Sequence, residues 1–331
     1  MEYNLDEMYT GEELKDIVNR AILNLKFSDE AEKLYDPIRY ILLSGGKRLR
    51  PVMSLMAANL FNDKVEPAIL PAVGLEVFHN FTLVHDDIMD NADMRRNAPT
   101  VHRKWSLSQA ILSGDVMAFV ANECIAQAPV DVFPQVFREY NRIAIGVCTG
   151  QQLDMDFEKT GYVSMEDYSR MVELKTAVLI AGGMKIGAII GGAGVKDADN
   201  IYSFGRNLGM AFQVQDDLLD TYGDPKIFGK NIGGDIVANK KTVLLIKAME
   251  LASGERRKKL LSLIAEKEFD PQVKIESVKE IYNDLGIMNF AEEMANSYLE
   301  EAFTSISNLD IDETRKEPLI FLGMDLTGRN R

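Results

Sequence analysis

Two short acidic runs carry the same spacing. Asp86-Asp87-Ile88-Met89-Asp90 and Asp216-Asp217-Leu218-Leu219-Asp220 both read Asp-Asp-x-x-Asp. On a helix, residues four apart share a face, so Asp86 projects with Asp90 and Asp216 with Asp220. Each run follows an apolar stretch, Phe81 to Val84 and Met210 to Val214. Carboxylates gathered there need a counter-charge, because an unpaired buried charge is costly. Hard oxygen donors suit Mg²⁺, which takes one or two carboxylates and completes its shell with phosphate oxygens and water. Cations lie close by in the chain: Gly45-Gly46-Lys47-Arg48-Leu49-Arg50-Pro51, Arg95-Arg96, Lys175-Thr176, and Lys230 and Lys240 with Asp235 between them. Glycine lets a backbone approach phosphate closely, and arginine clamps it bidentately. Carboxylates for metal beside cations for phosphate amount to the chemistry of a magnesium diphosphate.

Helices must position these residues. Apolar stripes at spacings of three and four recur around 29–43, 51–61, 67–91, 106–128, 131–156, 164–194, 197–222, 240–252, 256–265, 271–286 and 288–306, after a first one from Leu14 to Leu25. Strand alternation does not persist, and Gly and Pro cluster between the stripes. The pattern predicts an all-α fold: one domain over residues 1–331, with helices around a buried central bundle. The glycine-rich run Ala177 to Val195 reads as two packed helices with a break near Gly182-Gly183. The 331 residues are 46% hydrophobic and 27% charged, as in an ordinary globular protein. The net charge of −14 argues against nucleic acid as a partner, since phosphate backbones need a basic field. Cys124 and Cys148 are too few for a disulfide framework and read as reduced core thiols. The acidic N-terminus has no apolar signal region, and the longest apolar run is interrupted by Lys185 and glycines. No membrane span and a cytoplasmic location are therefore expected.

At this point the sequence resembles the polyprenyl synthetase family, the trans-prenyl diphosphate synthases, over residues 35–245. The resemblance is carried by the basic loop Gly45 to Pro51, the segment His79 to Asp90, Arg95 to His102, Gly150-Gln-Gln-Leu-Asp154, Lys175-Thr176-Ala177, Gln213 to Asp220, Gly229-Lys230 and Asn239 to Thr242. Asn97 and Asn239 stand where the family usually has glycine. The resemblance implies an all-α bundle of the isoprenoid synthase type with a central active-site cavity, working as a homodimer. It implies Mg²⁺, three ions per site, held by Asp86, Asp90 and Asp216, with Asp87, Asp217 and Asp220 in the same catalytic motifs. Gly46, Lys47, Arg50, His79 and Arg96 would hold isopentenyl diphosphate. Arg95, Lys175, Thr176, Gln213, Lys230 and Lys240 would surround an allylic diphosphate: dimethylallyl, geranyl or farnesyl. Gln151 and Asp154 fall near the site, and Arg329 and Arg331 are candidates for closing it.

Other readings fit less well. A di-iron carboxylate bundle needs two Glu-x-x-His motifs, and only Glu76-Val-Phe-His79 is present. A terpene cyclase would not carry the second Asp-Asp-x-x-Asp, and a non-catalytic relative would be expected to lose aspartates or basic residues that are all here. Product length depends on what lies upstream of Asp86. At ~100° per residue, Thr82 falls about 40° from Asp86, Phe78 about 80° and Phe81 about 140°. Geometry nominates Thr82 and Phe78, while the family resemblance stresses Phe81. The resemblance implies that the small Thr82, where farnesyl synthases of animal type carry an aromatic, favours geranylgeranyl diphosphate, C20, with farnesyl diphosphate, C15, as the alternative.

Overall fold

The structure, a computed structural model, describes residues 8–28, 30–223 and 232–327. The predicted stripes become helices α1 (Gly11–Leu23), α2 (Glu32–Leu43), α3 (Leu49–Asn59), α4 (Glu66–Met89), α6 (Leu107–Ile125), α7 (Phe133–Lys159), α8 (Met165–Val172), α9 (Val178–Gly191) and α10 (Val195–Tyr222), with a short α5 (Val101–Lys104) that falls between two of the stripes. Helices Val243–Leu251, Gly254–Ala265, Pro271–Asp284 and Ile287–Ser307 follow, and a further one at Glu313–Thr327 lies outside the stripes read from sequence. Local chemistry sets several starts. In α1 and α8 the capping residues Thr10 and Ser164 exchange hydrogen bonds with Glu13 and Asp167. Among the described residues the only sheet is a hairpin, Met94–Arg95 against Ala98–Pro99.

Two compact units make up the fold, one of residues 1–142, 182–202 and 309–319, the other of 143–181, 203–308 and 320–331. The division falls inside α7, α9, α10 and helix Glu313–Thr327, which contribute residues to both.

In the first unit α4 packs against α1, α2, α3 and α6. It is apolar on nearly every face, as a core helix must be. Glycines bring α4 and α6 together: a methyl on Gly74 would lie 2.9 Å from the Ala121 carbonyl oxygen. The break expected at Gly182-Gly183 is absent, and α9 runs through it. Its glycines serve packing instead. A methyl at Gly187 would stand 1.9 Å from the Ser54 carbonyl oxygen, and one at Gly191 2.5 Å from that of Ala58. The ~1 kcal/mol that each glycine costs a helix is offset by this backbone contact with α3. Cys124 is buried as expected, whereas Cys148 is exposed, because it shares the solvent face of α7 with Ile145 and Thr149.

The second unit is built on an apolar core that includes Tyr168, Val172, Met210, Val214, Leu218, Leu244, Ile281 and Ile287. By length and composition α4 and the stretch Met165–Gly191 could each cross a membrane. Their most apolar windows, however, are 61% and 72% buried inside the protein, as in core helices.

Candidate active site

In the first unit, the basic loop precedes α3. Gly45 and Gly46 take φ of +88° and +130°, where a side chain would be strained, and a methyl on Gly46 would stand 3.3 Å from the Arg96 guanidinium carbon. Arg48 turns inward. It is 5% exposed, pairs with the buried Glu76 at 2.8 Å, and also donates to Asn19 and to the Leu42 carbonyl. This inward anchor leaves Lys47 exposed and Arg50 half-buried on either side. Arg50 Nη1 lies 3.1 Å from His79 Nε2. Burial, reinforced by Arg50, Arg96, Arg95 and Arg48, holds the His79 ring well below its ordinary pKa. The ring is therefore neutral, with Nε2 accepting from Arg50 and the proton on Nδ1.

Arg95 and Arg96 are presented by the hairpin. Its two-residue turn, Arg96-Asn97, has φ of +51° and +61°, the positive pair that a tight hairpin requires. Asn97 is thus at a left-handed position, which asparagine tolerates better than most residues. Arg96 Nη1 donates to the Gly45 carbonyl at 2.8 Å and to Ser44 and Asn80 at 3.3 Å. Arg95 Nε and Nη2 both lie 2.7 Å from Asp87 Oδ1. Asp87 is 1% exposed, and burial pushes its carboxyl above the usual range while Arg95 pulls it back. The middle aspartate of the first motif therefore orients Arg95. Asp86 is half-buried and Asp90, which ends α4, is exposed. Phe78 is buried, and Phe81 and Thr82 are half-buried.

The second motif is arranged the same way in the second unit. Asp217 is 4% exposed and accepts from Tyr168 Oη at 2.7 Å, Val243 N at 3.2 Å and Gln213 Nε2 at 3.1 Å. Burial pushes its pKa up to about 7 against these hydrogen bonds. Gln213 in turn accepts from Thr176 Oγ1 at 3.0 Å. Thr176 and Lys175 sit on a π-helical turn, Glu173–Ala177, and such bulges recur at functional sites. Gly150 makes room for it, since a methyl there would lie 2.3 Å from the Lys175 nitrogen. One turn along α7, Asp154 receives Lys175 Nζ at 2.5 Å. Asp216 and Asp220 are half-buried. Asp220 accepts from the Asp235 N–H at 2.9 Å, and Lys240 Nζ lies 3.6 Å from Asp235 Oδ1. Asn239, at φ +53°, also occupies a left-handed position. A cleft of about 110 Å³ is lined by Asp154, Lys175, Thr176, Asp217, Asp235 and Lys240, among others. Lys230, Gly229, Arg329 and Arg331 lie outside the described residues.

Among the described residues no three His, Cys, Asp or Glu side chains gather into a protein-only metal cage. The outer carboxylates come in pairs, Asp86 with Asp90 and Asp216 with Asp220. Such a donor set fits Mg²⁺, which takes few protein ligands and completes its shell with substrate phosphate and water. Sequence reasoning missed Glu76, Asn80 and Tyr168. Asn80 had a local signal, its i,i+4 partner Glu76, to which it donates at 3.2 Å. Tyr168 had none, being 49 residues from Asp217.

The polyprenyl synthetase family model matches residues 31–285. A geranylfarnesyl diphosphate synthase of Natronomonas pharaonis is 36% identical over 323 residues, 92% of each chain. A crystal structure of a geranylgeranyl pyrophosphate synthase superposes with a TM-score of 0.93 at 40% identity, covering 98% of this chain and all of that one. Another, from Corynebacterium glutamicum and complexed with isoprenyl diphosphate and magnesium, has a TM-score of 0.82 at 28% identity, covering 96% and 97%. With doubled aspartate motifs, each anchored by its middle carboxylate, and with the family match spanning most of its length, the chain belongs to the polyprenyl synthetase family.

Proposed function

We propose that the protein is a Mg²⁺-dependent prenyltransferase that condenses isopentenyl diphosphate head-to-tail (1'-4) with allylic diphosphates, making geranylgeranyl diphosphate, C20. The observation that carries this reading lies on α4. Neutral His79, with Arg50 at 3.1 Å and Arg96 acting on it electrostatically, places cations two turns before the carboxylates of Asp86 and Asp90. One diphosphate can be held by cations there while a second is held through metal.

In this reading Gly46, Lys47, Arg50, His79 and Arg96 hold isopentenyl diphosphate. Arg95, oriented by Asp87, and Lys175, Thr176, Gln213, Lys230 and Lys240 hold the allylic diphosphate. Asp86, Asp90 and Asp216 would hold Mg²⁺, three ions per site, and the metal would supply positive charge for the leaving diphosphate. The allylic C–O bond breaks with its electron pair leaving on diphosphate. The isopentenyl double bond supplies the pair for the new C–C bond, and the proton lost from the adduct passes to the released diphosphate. Fixed cations aimed at the leaving group lower this barrier without reorganising. The allylic cation would need a site that excludes water.

Helices α7, α9 and α10 belong to both compact units, which supports a single catalytic domain over residues 1–331. The exposed apolar residues Leu107, Ile111, Leu112 and Phe119 along α6 support a homodimer. The mostly buried apolar helices and the family support a cytoplasmic enzyme without a membrane span. The small Thr82 supports C20, as does the similarity to geranylgeranyl synthases.

The test is an assay of purified protein with Mg²⁺, isopentenyl diphosphate and each allylic diphosphate, reading diphosphate release and the chain length of dephosphorylated products. Release with a C20 main product is expected. No release with any allylic partner would defeat the reading, and a C15 or C25 main product would correct its length. Phe81→Ala should lengthen the product and Thr82→Phe shorten it.

A further inference from the structure

The position of Phe81 needs an explanation, because helical spacing puts it about 140° from Asp86, on the far side of Phe78 from Thr82. Its ring lies between two others on α4. The Phe78 centroid is 5.5 Å away on one side, and His85 packs edge-on at 4.8 Å on the other. Phe78 is itself backed by the buried Tyr140 of α7 at 5.7 Å. The stack His85, Phe81, Phe78, Tyr140 thus runs from the metal motif into the core of the first unit. Its outer member is seated on α6. His85 Nε2 approaches the Ile111 carbonyl at 3.4 Å and Asp115 Oδ1 at 3.9 Å. The seat exists because residue 114 has no side chain: a methyl on Gly114 would lie 2.3 Å from His85 Nε2 and 2.7 Å from its Cδ2.

We propose that His85, wedged between Phe81 and the α6 backbone at Gly114, is a positioning residue for product length, holding the Phe81 ring against Phe78. The proposal rests on the prenyl-elongating reading and on Phe81 facing the growing chain. Without the wedge, the Phe81 ring can turn into the space beside Gly114, and the path along α4 deepens. Gly114→Ala acts on the same contact from the other side, since the ring must leave its seat to make room for the methyl.

The experiment measures product chain lengths for wild type, His85→Ala, Gly114→Ala, Phe81→Ala and the double variant Phe81→Ala/His85→Ala, with isopentenyl and farnesyl diphosphates and Mg²⁺. His85→Ala and Gly114→Ala should each move the main product up by one five-carbon unit. The double variant should match Phe81→Ala alone, because a residue that acts through another adds nothing once that one is gone. His85→Ala removes bulk rather than adding it, so the test does not depend on Gly114→Ala folding. Wild-type lengths from His85→Ala, or a further increment on top of Phe81→Ala, would overturn the proposal while leaving the elongation reading intact. A wild type that elongates nothing would overturn that reading and the proposal together.

Discussion

Each acidic motif divides its labour among its residues. Asp87 is held by Arg95, and Asp217 by Tyr168, Gln213 and the Val243 N–H. The outer carboxylates are less buried, and they are the ones proposed to hold metal. Asp86→Ala or Asp216→Ala should therefore lower turnover roughly a thousandfold, at 1.36 kcal/mol per factor of ten. Metal-free stability should hold or rise, since a like charge is removed. Near-normal steady-state rates in both variants would refute the ligand assignment. Asp217 makes a different prediction. Its folded pKa is about 7 and its ordinary value 3.8, so between these pH values the folded protein holds a proton that the unfolded chain has lost. This contribution to stability is fully present below about pH 4 and is lost as pH rises through 7. With EDTA present, the melting temperature of wild type minus that of Asp217→Asn should rise from pH 8 to pH 5. A flat or falling difference would show that Asp217 does not carry this proton.

Among the elements, the π-helical turn at Glu173–Ala177 is the most exacting. It projects Lys175 and Thr176 from one place, and it fits only because Gly150 lets its backbone touch α7. Gly150→Ala should cost about 1–3 kcal/mol, as overpacking commonly does. It should also raise the KM for the allylic diphosphate more than that for isopentenyl diphosphate, because Lys175 and Thr176 move with the turn. A change in melting temperature with both constants unaltered would separate the turn from substrate binding. The hairpin makes the same point more gently. Arg96 and Asn97 hold positive φ without glycine, and the strain is met by the hydrogen bonds of Arg96 to Ser44, Gly45 and Asn80.

For the whole molecule, the net charge of −14 coexists with cations concentrated in the basic loop and at Arg95-Arg96, where phosphate is proposed to bind, so the basic groups are local tools rather than a general field. The apolar residues exposed along α6 are costly to leave in water and are expected to be covered by a second copy. Sedimentation should give a species of twice 37.1 kDa that persists in high salt, since apolar contacts are not screened. A single 37.1 kDa species would leave that face without its proposed partner.

Helix type and order were legible from sequence because apolar spacing is a local property, decided within a few turns. The acidic motifs and the basic loop were legible for a similar reason, since each is contiguous in the chain. The tertiary structure decided matters of contact at a distance. Nothing local to Arg48 says that it turns inward to Glu76, 28 residues away, while its neighbours Lys47 and Arg50 do not. Nothing local to Gly182-Gly183 says whether glycines break a helix or let it touch another. The answer lay on α3, at Ser54 and Ala58, which face the later glycines of α9. The identity of the motif residues came from the chain alone, but that Asp87 and Asp217 are the buried carboxylates, held by Arg95 and by Tyr168, Gln213 and the Val243 N–H, was decided by donors brought from elsewhere in the fold.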